Sequence, residues 1–170
     1  MDFAKDLDFS FKVIERSFNM RRELRFKTFE DIRQELTHLE KGPVVTTGNW
    51  TYFQILEHCR KALEGSMKGL KRDLSWWKRY VIGPIGMRKT LRDGFIPTGI
   101  GSPMKGTPVE RVEGDEKAAL EQLRKALEAF EKFEGPLSDH PRFGQMSKKN
   151  WISFHAMHLA NHLGHAKLKD

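Results

Sequence analysis

The segment that carries four histidines on one side of a predicted helix constrains the fold more than any other feature of the chain. Between residues 151 and 165, His155, His158, His162 and His165 recur at steps of three and four residues. At about 100° per residue, these side chains fall within an arc of about 80°. Apolar residues flank the same arc, so the histidines face a core rather than solvent. Buried imidazoles need polar partners or a metal ion. Other elements of the fold therefore have to contribute those partners, or further ligands for the metal.

Two segments before the middle of the chain show the apolar spacing and end signals of amphipathic helices. The first helix is predicted to begin at Thr28, because Asp31 three residues later completes a capping box. A Gly-Pro pair at residues 42–43 ends it. Asn49 is the predicted N-cap of a second helix over residues 50–66.

Further helical segments follow in the second half. An aromatic-rich stretch over residues 74–91 is broken at residues 83–84 by Gly-Pro, which predicts two short helical pieces. Asp115 opens a strongly periodic helix that a second Gly-Pro pair, at residues 135–136, ends. Ser147 is the predicted N-cap of the histidine helix.

These segments predict an all-α bundle of four amphipathic helices with accessory helices and long loops. We expect the bundle domain to span residues 26–170, with residues 1–25 forming an N-terminal arm or accessory helix. A Gly- and Pro-rich stretch over residues 93–114 is a predicted loop. No strand pair is expected.

Composition and charge exclude several classes of protein. No apolar run approaches the length of a membrane-spanning helix, so membrane insertion is not expected. The acidic start lacks the features of a signal peptide, which favours a cytoplasmic protein. Cys59 is the only cysteine, which excludes an intramolecular disulfide and a multi-cysteine zinc site.

The net charge of +7 is concentrated in one block of the sequence, residues 60–92. Because Trp76, Trp77 and Tyr80 lie among its lysines and arginines, the block has a composition found in proteins that bind single-stranded nucleic acid or anionic membranes. The alternatives are a solvated helix face and the rim of a pocket for an anionic substrate. No recognised nucleic-acid-binding motif accompanies the block, so a nucleic-acid partner is not expected.

The spacing of three histidines predicts a metal site. His158 and His162 lie one turn apart and can share one ion. His58, in the middle of the second helix beside its apolar face, is the predicted third ligand. His155 and His165 are candidates for positions next to the ligands or in a pocket, and Glu57 is a nearby acid without an assigned role. The alternative interpretation is a set of core histidines bonded to carbonyl groups or acids.

Two segments resemble the DinB/YfiT-like superfamily of bacterial four-helix-bundle proteins. NWTYFQILEHC contains Trp50 and His58, and HPRFGQMSKKNWISFHAMHLANHLGH contains the pair His158 and His162. The resemblance spans about residues 20–168. Where relatives often carry a second adjacent His and a Gln, this chain has Asn161 and His165. The residues next to the ligand histidines therefore differ from the family pattern.

The resemblance implies an up-down-down-up helix order and a homodimer. It also implies a divalent transition metal, nickel or zinc, held by His58, His158 and His162, with Trp50 near the site. Characterised relatives include S-transferases and isomerases that use a low-molecular-weight thiol.

Together, these features favour a metal-dependent enzyme on a small-molecule substrate, similar to a thiol S-transferase or a hydrolase. A non-enzymatic binding protein with a basic aromatic surface and a bundle with a purely structural metal are the alternatives. His38 and His140 are predicted to be ordinary exposed residues.

Overall fold

The computed structural model describes residues 21–69, 78–96 and 111–169, which form a mostly helical structure, as an all-α fold requires. Most of the predicted N-terminal arm lies outside these residues. The elements in chain order are α1 (Phe29–Leu39), β1 (Val44–Thr46), α2 (Tyr52–Lys68), a π-helical segment (Lys78–Ile82), α3 (Gly83–Asp93), α4 (Glu116–Lys132), α5 (Lys148–Leu163) and β2 (Ala166–Leu168).

Side-chain caps begin three of the helices where the sequence predicts them. Thr28 and Asp31 form a reciprocal capping box at the start of α1. Asp115 accepts a hydrogen bond from the backbone N–H of Ala118, and Ser147 caps α5 in the same way. Such caps satisfy backbone donors that have no partner within the helix.

The predicted N-cap of α2 is wrong by two residues. Thr51, and not Asn49, accepts a hydrogen bond from the backbone N–H of Gln54. The side chain of Gln54 in turn accepts one from the backbone N–H of Thr51, which completes a capping box. The helix therefore begins at the Thr that has a Gln three residues later, and not at the Asn that has neither Glu nor Gln in that position.

A short antiparallel sheet, which the sequence does not predict, pairs the segment between α1 and α2 with the segment after α5. Val44 of β1 lies opposite Leu168 of β2. The backbone N–H of Thr47 extends the ladder by donating to the carbonyl of His165 at 2.8 Å. The sheet therefore fixes the segment that leads into α2 against the end of α5.

The helices enclose one hydrophobic core. α2 packs most extensively against α4, and α5 packs against both α1 and α2. The predicted break at Gly83 is the point where π-helical geometry gives way to α3, with Pro84 in its first turn. Within the described part of the chain, no helix is both long and apolar enough to cross a membrane.

Candidate metal centre

The three histidines predicted as ligands lie together in the structure. Nε2 of His158 lies 3.3 Å from Nε2 of His58 and 3.1 Å from Nε2 of His162. The ligand nitrogens of the three residues all lie within 4.8 Å of one another, close enough to hold one metal ion. α2 supplies one imidazole and two successive turns of α5 supply the others, so the packing of these helices forms the cluster.

Burial keeps His158 and His162 of this cluster neutral. His58 and His158 are 6% and 7% exposed. Burial, followed by the neighbouring His162 and His58, holds the pKa of His158 well below its usual value. Burial, followed by His58, lowers the pKa of His162 to about 3. At neutral pH the imidazoles of His158 and His162 therefore carry lone pairs rather than a charge, which is the form that binds metals.

Two aromatic side chains hold the imidazole rings in place. Trp50 stacks on His162 with ring centroids 5.5 Å apart, and it packs edge-to-face with His58 with ring centroids 4.9 Å apart. Phe154 stacks on His158 at 5.7 Å. Nδ1 of His158 is buried without a hydrogen-bond partner among the described residues, so this stacking and the contacts of Nε2 with the other two imidazoles fix that ring.

His155 lies one turn before His158 but takes no part in the cluster. It is fully buried, and its Nε2 lies 3.1 Å from Oγ of Ser66. The hydroxyl of Ser66 donates its proton to the carbonyl of Leu63 at 2.6 Å. Oγ therefore accepts from His155, which fixes the proton of that imidazole on Nε2.

Replacing Ser66 by alanine should destabilise the protein, because the N–H of His155 would stay buried without an acceptor. We expect a loss of about 1–3 kcal/mol in the free energy of unfolding, measured by urea denaturation. Ser153→Ala is the matched control, since that hydroxyl bonds to a carbonyl of its own helix at the surface. Equal effects of the two substitutions would contradict the assigned bond.

The other two predicted site residues are engaged outside the cluster. α5 ends at Leu163, so His165 follows the helix instead of continuing its stripe, which corrects the four-residue stripe. Nδ1 of His165 lies 3.2 Å from Oγ1 of Thr47. The carboxylate of Glu57 accepts two hydrogen bonds from Arg60, both at 2.8 Å.

His140 is buried, and the prediction that it is exposed is wrong. Its exposed fraction is 3%, and its ring packs against Phe143, Trp151 and Phe154. Nδ1 accepts hydrogen bonds from the backbone N–H groups of Arg142 and Phe143, both at 3.1 Å. The side chain therefore stabilises a turn, a role that no periodic pattern indicates. His38 is exposed, as predicted.

Sequence reasoning missed three residues that contact histidines: Phe154 stacks on His158, Ser66 bonds to His155, and Thr47 lies against His165. Phe154 lies four residues before His158, so a helical projection places it beside that ring. Ser66 and Thr47 come from other elements and have no local signal.

Part of the basic block is neutralised. Arg60 forms ion pairs with Glu57 and Glu64, and Lys68 pairs with Glu64. Trp76, Trp77 and the lysines and arginines between residues 70 and 77 lie outside the described residues. The structure therefore shows that some cations in this block are engaged within α2.

A family model described as protein of unknown function (DUF1569) matches residues 18–168. No curated protein and no solved structure matches the chain.

Proposed function

The chain belongs to the family described as protein of unknown function (DUF1569), and from its own geometry we propose that it is a metal-dependent enzyme on a small-molecule substrate. One divalent ion would be held by His58, His158 and His162. The observation that carries the proposal is the convergence of three buried imidazoles from two helices on one point.

The donor set fits zinc or nickel. Two imidazole nitrogens on one tetrahedral ion, each at about 2.0–2.1 Å, lie about 3.3–3.4 Å apart. The two closest nitrogen pairs here lie 3.1 and 3.3 Å apart. Three nitrogen ligands suit a borderline-soft divalent transition metal. When bound, such an ion supplies Lewis acidity and lowers the pKa of a coordinated water or thiol.

Two residues of the site keep part of their surface exposed to solvent. Trp50 and His162 are half-buried, whereas His58 and His158 are buried, so a substrate would approach the ion from the side of the first two residues. A structural ion has a closed ligand set, and a catalytic ion keeps an open position. Three protein ligands with one accessible side favour catalysis over a purely structural site.

A thiol for a transfer reaction would have to come from outside the protein. Cys59, the chain's only cysteine, adjoins His58 in sequence. It is fully buried, and burial raises the pKa of its thiol far above neutral pH. A buried, protonated thiol is a poor nucleophile. These properties favour a low-molecular-weight thiol as co-substrate over a cysteine nucleophile of the protein, and a hydrolase would need no thiol.

We also propose that the family is a branch of the DinB/YfiT-like superfamily, with the up-down-down-up helix order, as a homodimer in the cytoplasm. The order of helices and the two histidine-bearing segments support the kinship. Light scattering on the purified protein tests the dimer.

Cobalt substitution tests whether the ion has an open position. Adding 2-mercaptoethanol to the cobalt-loaded protein should produce a cobalt–thiolate charge-transfer absorption, because an accessible ion binds an external thiolate. Cys59→Ala should give the same absorption, since the chain's own thiol is buried. An unchanged spectrum would show that the ion has no position open to a thiolate, and the metal site would then be purely structural.

A further inference from the structure

A cavity lies beside α5. Its volume is about 630 Å³, and Met157, Ala160 and Asn161 form its α5 side. None of the three histidines of the cluster lines it. Cavities of about 300–1,000 Å³ are of the size that binds small molecules.

The cavity has an excess of positive charge. Three arginines line it, against the single carboxylate of Glu23. The guanidinium of Arg22 is bonded to the carboxylate of Glu35 and to the carbonyl of Leu163. Nε of Arg21 is buried with no hydrogen-bond partner among the described residues. Arg25 lies over the ring of Phe95 at 5.2 Å, and no carboxylate among the described residues forms an ion pair with it.

The end of α5 holds the arginine segment in place. The backbone N–H of Arg22 donates to the carbonyl of Gly164 at 2.8 Å. A Cβ at Gly164 would lie 2.7 Å from the carbonyl oxygen of Arg22 and 2.9 Å from Nε of Arg21. Only a residue without a side chain therefore permits this close approach of residues 21–22 to the end of α5.

The remaining walls are apolar except at the side chains of Asn161 and His165. Leu24, Ile96, Met157 and Ala160 offer apolar surface. The amide of Asn161 has its Oδ1 buried without a partner among the described residues. A ligand that fills this space would bury apolar surface and satisfy polar atoms that are costly to leave unpaired.

We propose that this cavity binds a small organic anion. Its carboxylate or phosphate group contacts Arg21 and Arg25, its apolar body packs on Met157 and Ile96, and a polar substituent bonds to Asn161. None of the three metal-binding histidines lines the site, so the proposal does not rest on the function proposed above.

Calorimetry with hexyl phosphate and hexanoate tests the site. Both probes should bind at one site per chain, and the tighter one identifies the head group. Inorganic phosphate, which lacks the apolar chain, and hexanol, which lacks the negative charge, should both bind more weakly than these probes. Because a charged hydrogen bond contributes about 1.5–3 kcal/mol, Arg21→Gln should weaken binding at least about tenfold, and Arg25→Gln should weaken it in the same direction. Arg88→Gln, an exposed arginine that does not line the cavity, is the control.

Removal of metal by a chelator separates this site from the metal centre. Binding of the better probe should persist in the metal-free protein. If Arg21→Gln fails to fold, Arg25→Gln decides alone, because that side chain is exposed. The proposal is overturned if neither probe binds more tightly than about 1 mM, if hexanol binds equally well, if the arginine variants that fold bind like wild type, or if chelation alone abolishes binding.

Discussion

Replacing His158 by alanine should reduce affinity for zinc or nickel by at least about a hundredfold, because the two remaining imidazoles make a poor site. His158 is the central residue of the cluster, with Nε2 within 3.3 Å of both neighbours. His58→Ala and His162→Ala should have losses of the same order. Competition with a chromogenic chelator on protein without a histidine tag measures the dissociation constants.

His38→Ala is the control for these variants, since His38 is exposed and lies on α1, away from the cluster. It should bind metal like wild type. Full metal affinity in His58→Ala would exclude that residue as the third ligand. Circular dichroism on each variant separates a lost ligand from a lost fold.

Metal-free protein should lose stability steeply as the pH falls below about 6.5. Burial, and then the charge of Arg142, lower the pKa of His140 to about 3. Burial, and then His140, lower the pKa of His155 to about 3. The unfolded chain protonates the same residues near pH 6.5. Between those values the unfolded state binds more protons, so each residue costs up to about 1.4 kcal/mol per pH unit as acid is added.

Urea denaturation at a series of pH values in the presence of a chelator measures the slope of the free energy of unfolding against pH. His140→Asn should make it shallower, because an amide oxygen can accept the same two backbone hydrogen bonds without titrating. Ser153→Ala, which removes no titratable group, should leave the slope unchanged. Above about pH 7 the slope from these residues should vanish. A stability that stays flat from pH 7 to pH 4.5 would contradict the buried, neutral state of both histidines.

Local chemistry explains which parts of the fold were predictable. Thr28, Asp115 and Ser147 begin helices because each side chain accepts a hydrogen bond within its own first turn. The error at Asn49 arose from the same rule, since the pair Thr51 and Gln54 satisfies it more completely. Signals contained within one turn of helix can be found without knowing the rest of the fold.

The errors concern features that depend on distant residues. The sheet pairs three residues near position 45 with three near position 167, which is too short a span for an alternating pattern to be recognised. His165 was projected onto a helix that ends at Leu163. His140 looked like a loop residue, but its ring fills a space between residues of α5 and of its own turn.

The candidate site was the more predictable part, for a physical reason. His158 and His162 are placed by helix geometry alone, and His58 was recognisable as a polar residue beside an apolar face. The distances between them, the stacking of Trp50 and Phe154 and the bond from His155 to Ser66 depend on how α2 packs on α5. That packing cannot be read from one segment.

The most direct test of the metal centre is the metal content of wild-type protein made without a histidine tag, measured by inductively coupled plasma mass spectrometry beside His158→Ala. We predict close to one zinc or nickel per chain in the wild type, or after incubation with the metal and desalting, and little in the variant. A wild type that holds no transition metal after incubation, or a variant that holds as much as the wild type, would contradict the three-histidine site.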